Sequence, residues 1–337
     1  MTNRESLIVT KFYEGQGLGN QLWVYAAARS IANELHMPFA LLGKEQFKGK
    51  DFLKIKSTIG IDEDQAHELT GLGEINNFHE KRFYDPQLDH FSSAYDARVM
   101  SVSGITQLNG LFQSEKYFYE DLVKLKHYFS LEMSLLDRNK IPEEVGVINL
   151  RGGEYKRHKS LILPKSYWDD AIKNLRNLTG VTKFLVVTDD VPYAHALFPK
   201  FEVLRGGVGD CYASLFNAQN LILSNSSFAY FPVKTGGNAK TVIAPRYWSR
   251  FSNAEKRWAS IANCYEDWLW QDINGGLSSY DECLFESEKT LRFYESNYCI
   301  CTLESELLKK PLRSIIPKSI RRMIKKGLGL FFPRWIG

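Results

Sequence analysis

Three stretches of this chain hold residue types that can do chemistry at close quarters. Gly15-Gln16-Gly17-Leu18-Gly19-Asn20-Gln21 is a glycine-rich turn. Such a turn lets backbone approach a ligand without Cβ obstruction, and it aims the free N–H groups of a helix start at whatever binds. Asn149-Leu150-Arg151-Gly152-Gly153-Glu154-Tyr155 sets one arginine ahead of two glycines. A guanidinium in that position can fork onto a pyrophosphate, whose oxygens match its geometry. Ser224-Asn225-Ser226-Ser227 offers hydroxyls and an amide just before a helix start, where they cap the helix or bind phosphate. The glycine spacing is G-x-G-x-G. It differs from the dinucleotide fingerprint and lacks the Lys-Ser/Thr of a P-loop, so a hydride-transferring dinucleotide enzyme is the weaker reading.

The elements that must position these groups alternate. A strand is predicted over 7–13 and a helix over 21–36; Pro38 and a strand over 39–42 complete a βαβ start. Leu22, Tyr25, Ala26, Arg29, Ala32 and Leu35 recur at helical spacing, so that face is packing. Residues 44–104 read as mixed loops and short elements. A strand over 105–111 and a helix over 114–129, capped by Ser114, follow, and 131–143 reads as a linker. From Val145 the pattern predicts strands over 145–151, 183–188, 201–204, 220–225 and 241–244. Helices over 165–175, 193–197, 211–218 and 227–234 fall between them. Apolar runs such as Phe184-Leu185-Val186-Val187 mark strands covered on both faces, hence a parallel sheet. Parallel sheets bind ligands at the carboxyl ends of their strands, where Arg151, Thr188-Asp189 and Asn225-Ser226-Ser227 fall. The expected fold is therefore α/β, with two Rossmann-like domains facing across a cleft. Residues 1–143 are expected to form the first domain, with the glycine loop, and residues 144–285 the second; 286–337 read as a C-terminal helical segment with a basic amphipathic tail.

The chain has 337 residues, 44% hydrophobic and 24% charged, as a folded two-domain protein requires. Its net charge is +4, but nine basic residues and no acid lie from Lys309 onward, leaving −5 on residues 1–308. A nucleic-acid-binding body would carry its basic face on the fold, so nucleic acid is not an expected partner. Five cysteines, Cys211, Cys264, Cys283, Cys299 and Cys301, form no CxxC pair and suit a reducing cytosol. No His or Cys pair has zinc-ligand spacing, and no metal or other cofactor is expected. No secretory leader and no membrane-spanning run is predicted.

Three stretches resemble the bacterial α-1,2-fucosyltransferases of glycosyltransferase family 11. Gly17-Leu18-Gly19-Asn20-Gln21-Leu22-Trp23-Val24-Tyr25-Ala26 parallels that family's G-G-L-G-N-Q-L-F-Q-Y-A. Leu150-Arg151-Gly152-Gly153-Glu154-Tyr155 parallels H-x-R-R-G-D-Y. Leu221-Ile222-Leu223-Ser224-Asn225-Ser226-Ser227-Phe228, then Val242-Ile243-Ala244-Pro245, parallels I-x-A-N-S-S-F-S-W-W and V-I-A-P. Weaker agreement includes Gly110-Leu111-Phe112-Gln113-Ser114-Glu115-Lys116-Tyr117-Phe118 and Thr188-Asp189-Asp190. The resemblance runs from about residue 10 to residue 250 in the family's order. It implies a GT-B fold and metal-free, inverting transfer of fucose from GDP-β-L-fucose to a hydroxyl of a galactose-type sugar in a surface polysaccharide or lipid-linked glycan. It also implies that Arg151 contacts the donor pyrophosphate. Thr188, Asp189, Asp210, Ser224, Asn225, Ser226 and Ser227 would line the nucleotide-sugar pocket. Residues 144–285 would then be the nucleotide-sugar-binding domain, and Gly17, Gly19 and Asn20 would face the cleft from the other domain, residues 1–143, on the acceptor side. The chain departs from the family at Gln16, at Asn149 in place of histidine and at Gly152 in place of the second arginine. These changes leave a different nucleotide-sugar donor, or a non-catalytic nucleotide-binding Rossmann protein, as alternatives.

Two carboxylates are candidate bases for the acceptor hydroxyl. Glu154 stands where the family has aspartate, and its other reading is a structural partner of Arg151 or Lys156. Glu14 ends the first strand, and its other reading is a solvated strand-end acid. A reaction without a protein base is a third possibility. His158 sits in a basic loop, Lys156 to Lys159, and reads as a solvated loop residue, with a place near the donor phosphate the lesser reading. Trp248, Trp258, Tyr265, Trp268 and Trp270 read as helix packing against the core, with sugar stacking the lesser reading. In the tail, Ile316, Ile320, Met323 and Ile324 share one helical face among lysines and arginines. That pattern predicts an interfacial helix on an anionic membrane surface, and so a cytoplasmic protein peripheral to the inner face of the membrane.

Overall fold

The computed structural model describes residues 6–72, 74–86, 90–118, 122–252, 256–258 and 260–301. The basic tail from Lys309 lies outside the described residues. The first half of the chain runs β1 (Leu7–Lys11), α1 (Leu18–Glu34), β2 (Phe39–Leu42), β3 (Leu53–Lys54), β4 (Thr58–Ile59) and α2 (Glu63–Leu72). It continues with β5 (Asn76–His79), β6 (Arg82–Asp85), β7 (His90–Ser93), β8 (Ile105–Asn109), β9 (Ser130–Leu131) and α3 (Met133–Arg138). Five of these strands form one sheet in the order β4-β2-β1-β8-β5. β1 is central and parallel to both neighbours, and Leu7, Ile8 and Val9 are fully buried. A continuous apolar run therefore suits it.

The first helix starts at Leu18, three residues earlier than expected, because Leu18 is itself buried and the extended Gly17 serves as its cap. Gly19 and Asn20 thus lie in its first turn, not ahead of it. The helix expected over 114–129 does not form among the described residues. Short 3-10 turns at Glu115–Tyr117 and Leu122–Tyr128 replace it, although Ser114 does cap the first through Lys116 N–H. Tyr117 and Phe118 are adjacent and both buried, a demand that the one-sided stripe of a surface helix cannot meet.

The second half runs β10 (Val145–Leu150), α4 (Lys165–Thr179), β11 (Lys183–Thr188), α5 (Val191–Leu197), β12 (Glu202–Val203) and α6 (Val208–Asn217). β13 (Asn220–Leu223), α7 (Tyr230–Gly236), β14 (Thr241–Pro245), β15 (Leu269–Gln271), β16 (Leu277–Ser278) and α8 (Tyr280–Asn297) follow. Its sheet has the order β12-β11-β10-β13-β14-β15-β16, parallel throughout except for β16. The helix expected over 227–234 begins as a 3-10 turn, Ser227–Ala229, before α7 takes over. The α/β class and the two Rossmann-like units thus hold, in a GT-B-like arrangement.

One apolar interior joins the halves. Trp23 of α1 packs on Tyr230, with ring centroids 4.1 Å apart, and on Tyr265 at 5.5 Å. Trp258, Tyr265, Trp268 and Trp270 are all buried in this core. Their packing role is as expected, but the helix is not: Trp270 lies on β15 and the others lie on turns and loops. The division expected at 285 falls inside α8. That helix carries the chain back to the first domain, where Tyr294 meets Phe83 and Lys81 pairs with Glu295 at 2.5 Å. Beyond it, Cys301 N–H donates to the Arg82 carbonyl at 2.8 Å.

Candidate functional site

The carboxyl ends of β10, β11 and β13 meet the start of α1 across a cleft of about 1090 Å³. From the second domain it is lined by Asn149, Arg151, Glu154, Tyr155, Thr188 and Asp189, together with Asn225, Ser226 and Ser227. From the first domain come the glycine turn through Asn20, and Lys48, Arg82, Phe91, Leu111 and Gln113.

Arg151 sits just past β10, and its side chain is one-third exposed at the cleft. Its Nη1 lies 2.7 Å from Asp189 Oδ2, and Gly152 N–H donates to Asp189 Oδ1 at 2.9 Å. One carboxylate thus holds both the arginine and the loop that follows it. Gly152 is packed so tightly that a Cβ there would fall 2.6 Å from Asp190 Cβ. Asp190 is in turn pinned by Lys156 and caps α5 by accepting from Tyr193 N–H. A second arginine at 152 has no room in this arrangement. Asn149, where the family has histidine, accepts from the Ser224 hydroxyl at 3.1 Å and ties β10 to β13. Ser224 is buried beneath the cleft, not on its lining. Tyr155 donates to the Asn225 carbonyl at 3.1 Å, and its burial raises the phenol pKa.

Asp210 stands apart from the lining. Its carboxylate accepts from Gly207 N–H at 3.0 Å at the start of α6, and also from Arg138 and Asn139. The Asn139 hydrogen bond, first among the causes, lowers its pKa. Glu154 is exposed on the lining, whereas Glu14 is exposed outside it. Among the described residues, no three of His, Cys, Asp and Glu come together to hold a metal ion.

The two domains touch where the glycine turn meets the serine segment. A Cβ on Gly19 would fall 2.5 Å from the Phe228 nitrogen and the Ser227 carbonyl carbon, so only glycine fits. Beside it, Asn20 Oδ1 accepts from Ser227 Oγ and from Gln113 Nε2, each at 2.8 Å. Asn263, which the sequence does not single out, donates to Gln113 Oε1 at 3.2 Å. Its position between buried aromatics gives no sequence signal. Trp248 also lines the cleft, and it and Tyr247 both have positive φ, 53° and 64°. Two successive non-glycine residues in that region mark strain of the kind that collects at functional sites.

No protein-family model matches this chain. The chain is similar to an alpha-1,2-colitosyltransferase of Escherichia coli, with 23% identity over 282 residues, covering 75% of this chain and 95% of that protein. Among solved structures it resembles the fucosyltransferase NodZ from Bradyrhizobium, with 12% identity, 71% of this chain and 95% of that one covered, and a TM-score of 0.44. It also resembles POFUT1 in complex with GDP-fucose, with 10% identity, 72% and 99% coverage, and a TM-score of 0.42.

Proposed function

We propose that the protein is an inverting glycosyltransferase that moves fucose, or a closely related deoxysugar, from a nucleoside diphosphate carrier to a sugar hydroxyl. The observation that carries this reading is Arg151. It stands at a strand end inside an interdomain cleft, braced by Asp189, opposite a glycine turn and beside a serine-rich helix start. The similarity to a colitosyltransferase supports the reaction class. GDP-β-L-fucose is the donor proposed, and a galactose-type unit of a surface polysaccharide or lipid-linked glycan is the acceptor.

In the proposed reaction the bond between the anomeric carbon and the diphosphate oxygen breaks, and the electron pair leaves with the diphosphate. Arg151, hydroxyls of the serine segment and backbone N–H groups meet the negative charge that develops there. The acceptor oxygen bonds to the opposite face of the anomeric carbon, which inverts its configuration. The acceptor proton passes to Glu154, the candidate base on the cleft lining, or directly to water. Glu14, outside the lining, is the less suited of the two acids.

One observation favours a donor other than GDP-fucose. Asn149 and the sterically enclosed Gly152 give this cleft fewer cationic donors than the family pattern provides. A panel of nucleotide sugars tests both readings: slow nucleotide release from one donor, insensitive to EDTA, is expected. Nucleotide binding with no release from any donor would assign the protein to the non-catalytic class.

A further inference from the structure

The hydrogen bonds at the domain seam have a direction. Asn263 Nδ2 lies 3.4 Å from the Gln113 carbonyl, which can only accept, and 2.7 Å from the Tyr265 hydroxyl. The carbonyl sets which end of the Asn263 amide faces Gln113, since a hydroxyl suits either end, and the two Nδ2 protons are shared among three acceptors. The same Nδ2 donates to Gln113 Oε1 at 3.2 Å, so the Gln113 amide must turn its Nε2 away, toward Asn20. Asn20 Oδ1 then takes two donors, Gln113 Nε2 and Ser227 Oγ. Asn20 Nδ2 makes no hydrogen bond among the described residues. Gln113 and Asn263 are 8% and 3% exposed, which leaves this pair little freedom to turn over.

Asn20 lines the cleft. With its oxygen held at the seam, the group it has left for a ligand is N–H. We propose that Gln113, locked by Asn263, is a positioning residue that keeps the Asn20 amide donor toward the cleft, so that the seam attracts phosphate oxygens. Were the amide reversed, its oxygen would face those oxygens and repel them. The inference rests on the reading that the cleft takes a diphosphate. It adds that two residues 150 positions apart set the polarity of a third.

Gln113→Glu tests this, because a carboxylate is an acceptor only and a carboxylic acid can donate again. With an ionised carboxylate in place of the Gln113 amide, the Asn20 amide is drawn over. Binding of GDP, UDP and inorganic pyrophosphate is measured by calorimetry on the full chain from about pH 8 to about pH 5, always against the native protein at the same pH. The native chain is expected to bind at least one of the three. The variant is expected to bind about tenfold more weakly at the high end, one lost charge-assisted hydrogen bond, and to recover as the buried carboxyl takes up its proton. Gln113→Met, which removes the donor without recruiting the amide, should weaken binding less and show no recovery. Because Gln113 lines the cleft, a carboxylate there also repels a diphosphate directly; Asn263→Ala, which frees Gln113 to turn without adding charge, separates the two, and a severalfold loss is expected. If the native chain binds none of the three, the diphosphate reading and this inference both fall. If it binds and the variants match it at every pH, the inference alone falls.

Discussion

At the scale of the residue, the proposed chemistry rests on one guanidinium, Arg151, and on Asp189, which braces it. Arg151 is legible in the sequence from its place after an apolar strand and before two glycines. Its brace is not, since Asp189 is a strand away and comes alongside only when β10 and β11 pair in register, Leu150 opposite Thr188. The same pairing explains the absent second arginine: Gly152 lies against Asp190, and the missing side chain is a packing necessity. In the proposed transfer, charge appears on the leaving diphosphate in the transition state, so Arg151→Ala should lower turnover about a hundredfold or more, as loss of an oxyanion donor does. Arg151→Lys should recover little, since an ammonium does not fork onto two oxygens and also loses the fit to Asp189. The check is steady-state turnover alongside a thermal unfolding curve. A folded alanine variant with near-native turnover would remove Arg151 from the chemistry.

At the scale of the element, the loop after β8 shows how a buried acid shapes the cleft. Glu80 is fully enclosed and accepts from Leu111 N–H at 2.8 Å and Phe112 N–H at 3.0 Å, holding Phe112 at a positive φ of 49°. Leu111 and Gln113, on either side of that strained residue, both line the cleft. Burial pushes the Glu80 pKa up from an ordinary 4.5 to about 7. The sign follows from linkage: the native state keeps a proton that the unfolded chain has lost. The contribution is whole below about 4.5 and is lost as pH rises through about 7. Its size is of the order of 3 kcal/mol across that span. The unfolding midpoint should therefore fall between these pH values, and Glu80→Gln should flatten that part of the curve. An unchanged slope in the variant would mean that another group titrates. None of this is legible in residues 44–104, where short strands owe their existence to distant partners. β3 pairs with β9, and β5 completes the sheet beside β8. The alternation after Val145 is legible because its central strands carry continuous apolar runs, such as Phe184-Leu185-Val186-Val187 of β11 and Leu221-Ile222-Leu223 of β13.

At the scale of the whole molecule, charge and topology divide the labour. The body carries −5 on residues 1–308, whereas the last stretch carries nine basic residues and no acid. The described chain ends at Cys301, hydrogen-bonded to Arg82, and Arg82 lines the cleft on the first-domain side. A basic segment with apolar residues on one helical face fits an anionic lipid surface, to which each Lys or Arg contributes about 1 kcal/mol. An enzyme whose acceptor is carried on a lipid gains from lying beside it. The full chain is expected to sediment with vesicles rich in anionic lipid at low salt and to be released as salt shortens the range of the attraction. A chain ending before Lys309 should stay in solution yet still transfer sugar to a soluble acceptor, because Arg151, Asp189 and the Asn20 seam all lie in the body. Sedimentation of the shortened chain to the same extent would place the membrane contact on the folded domains and leave the tail without this role.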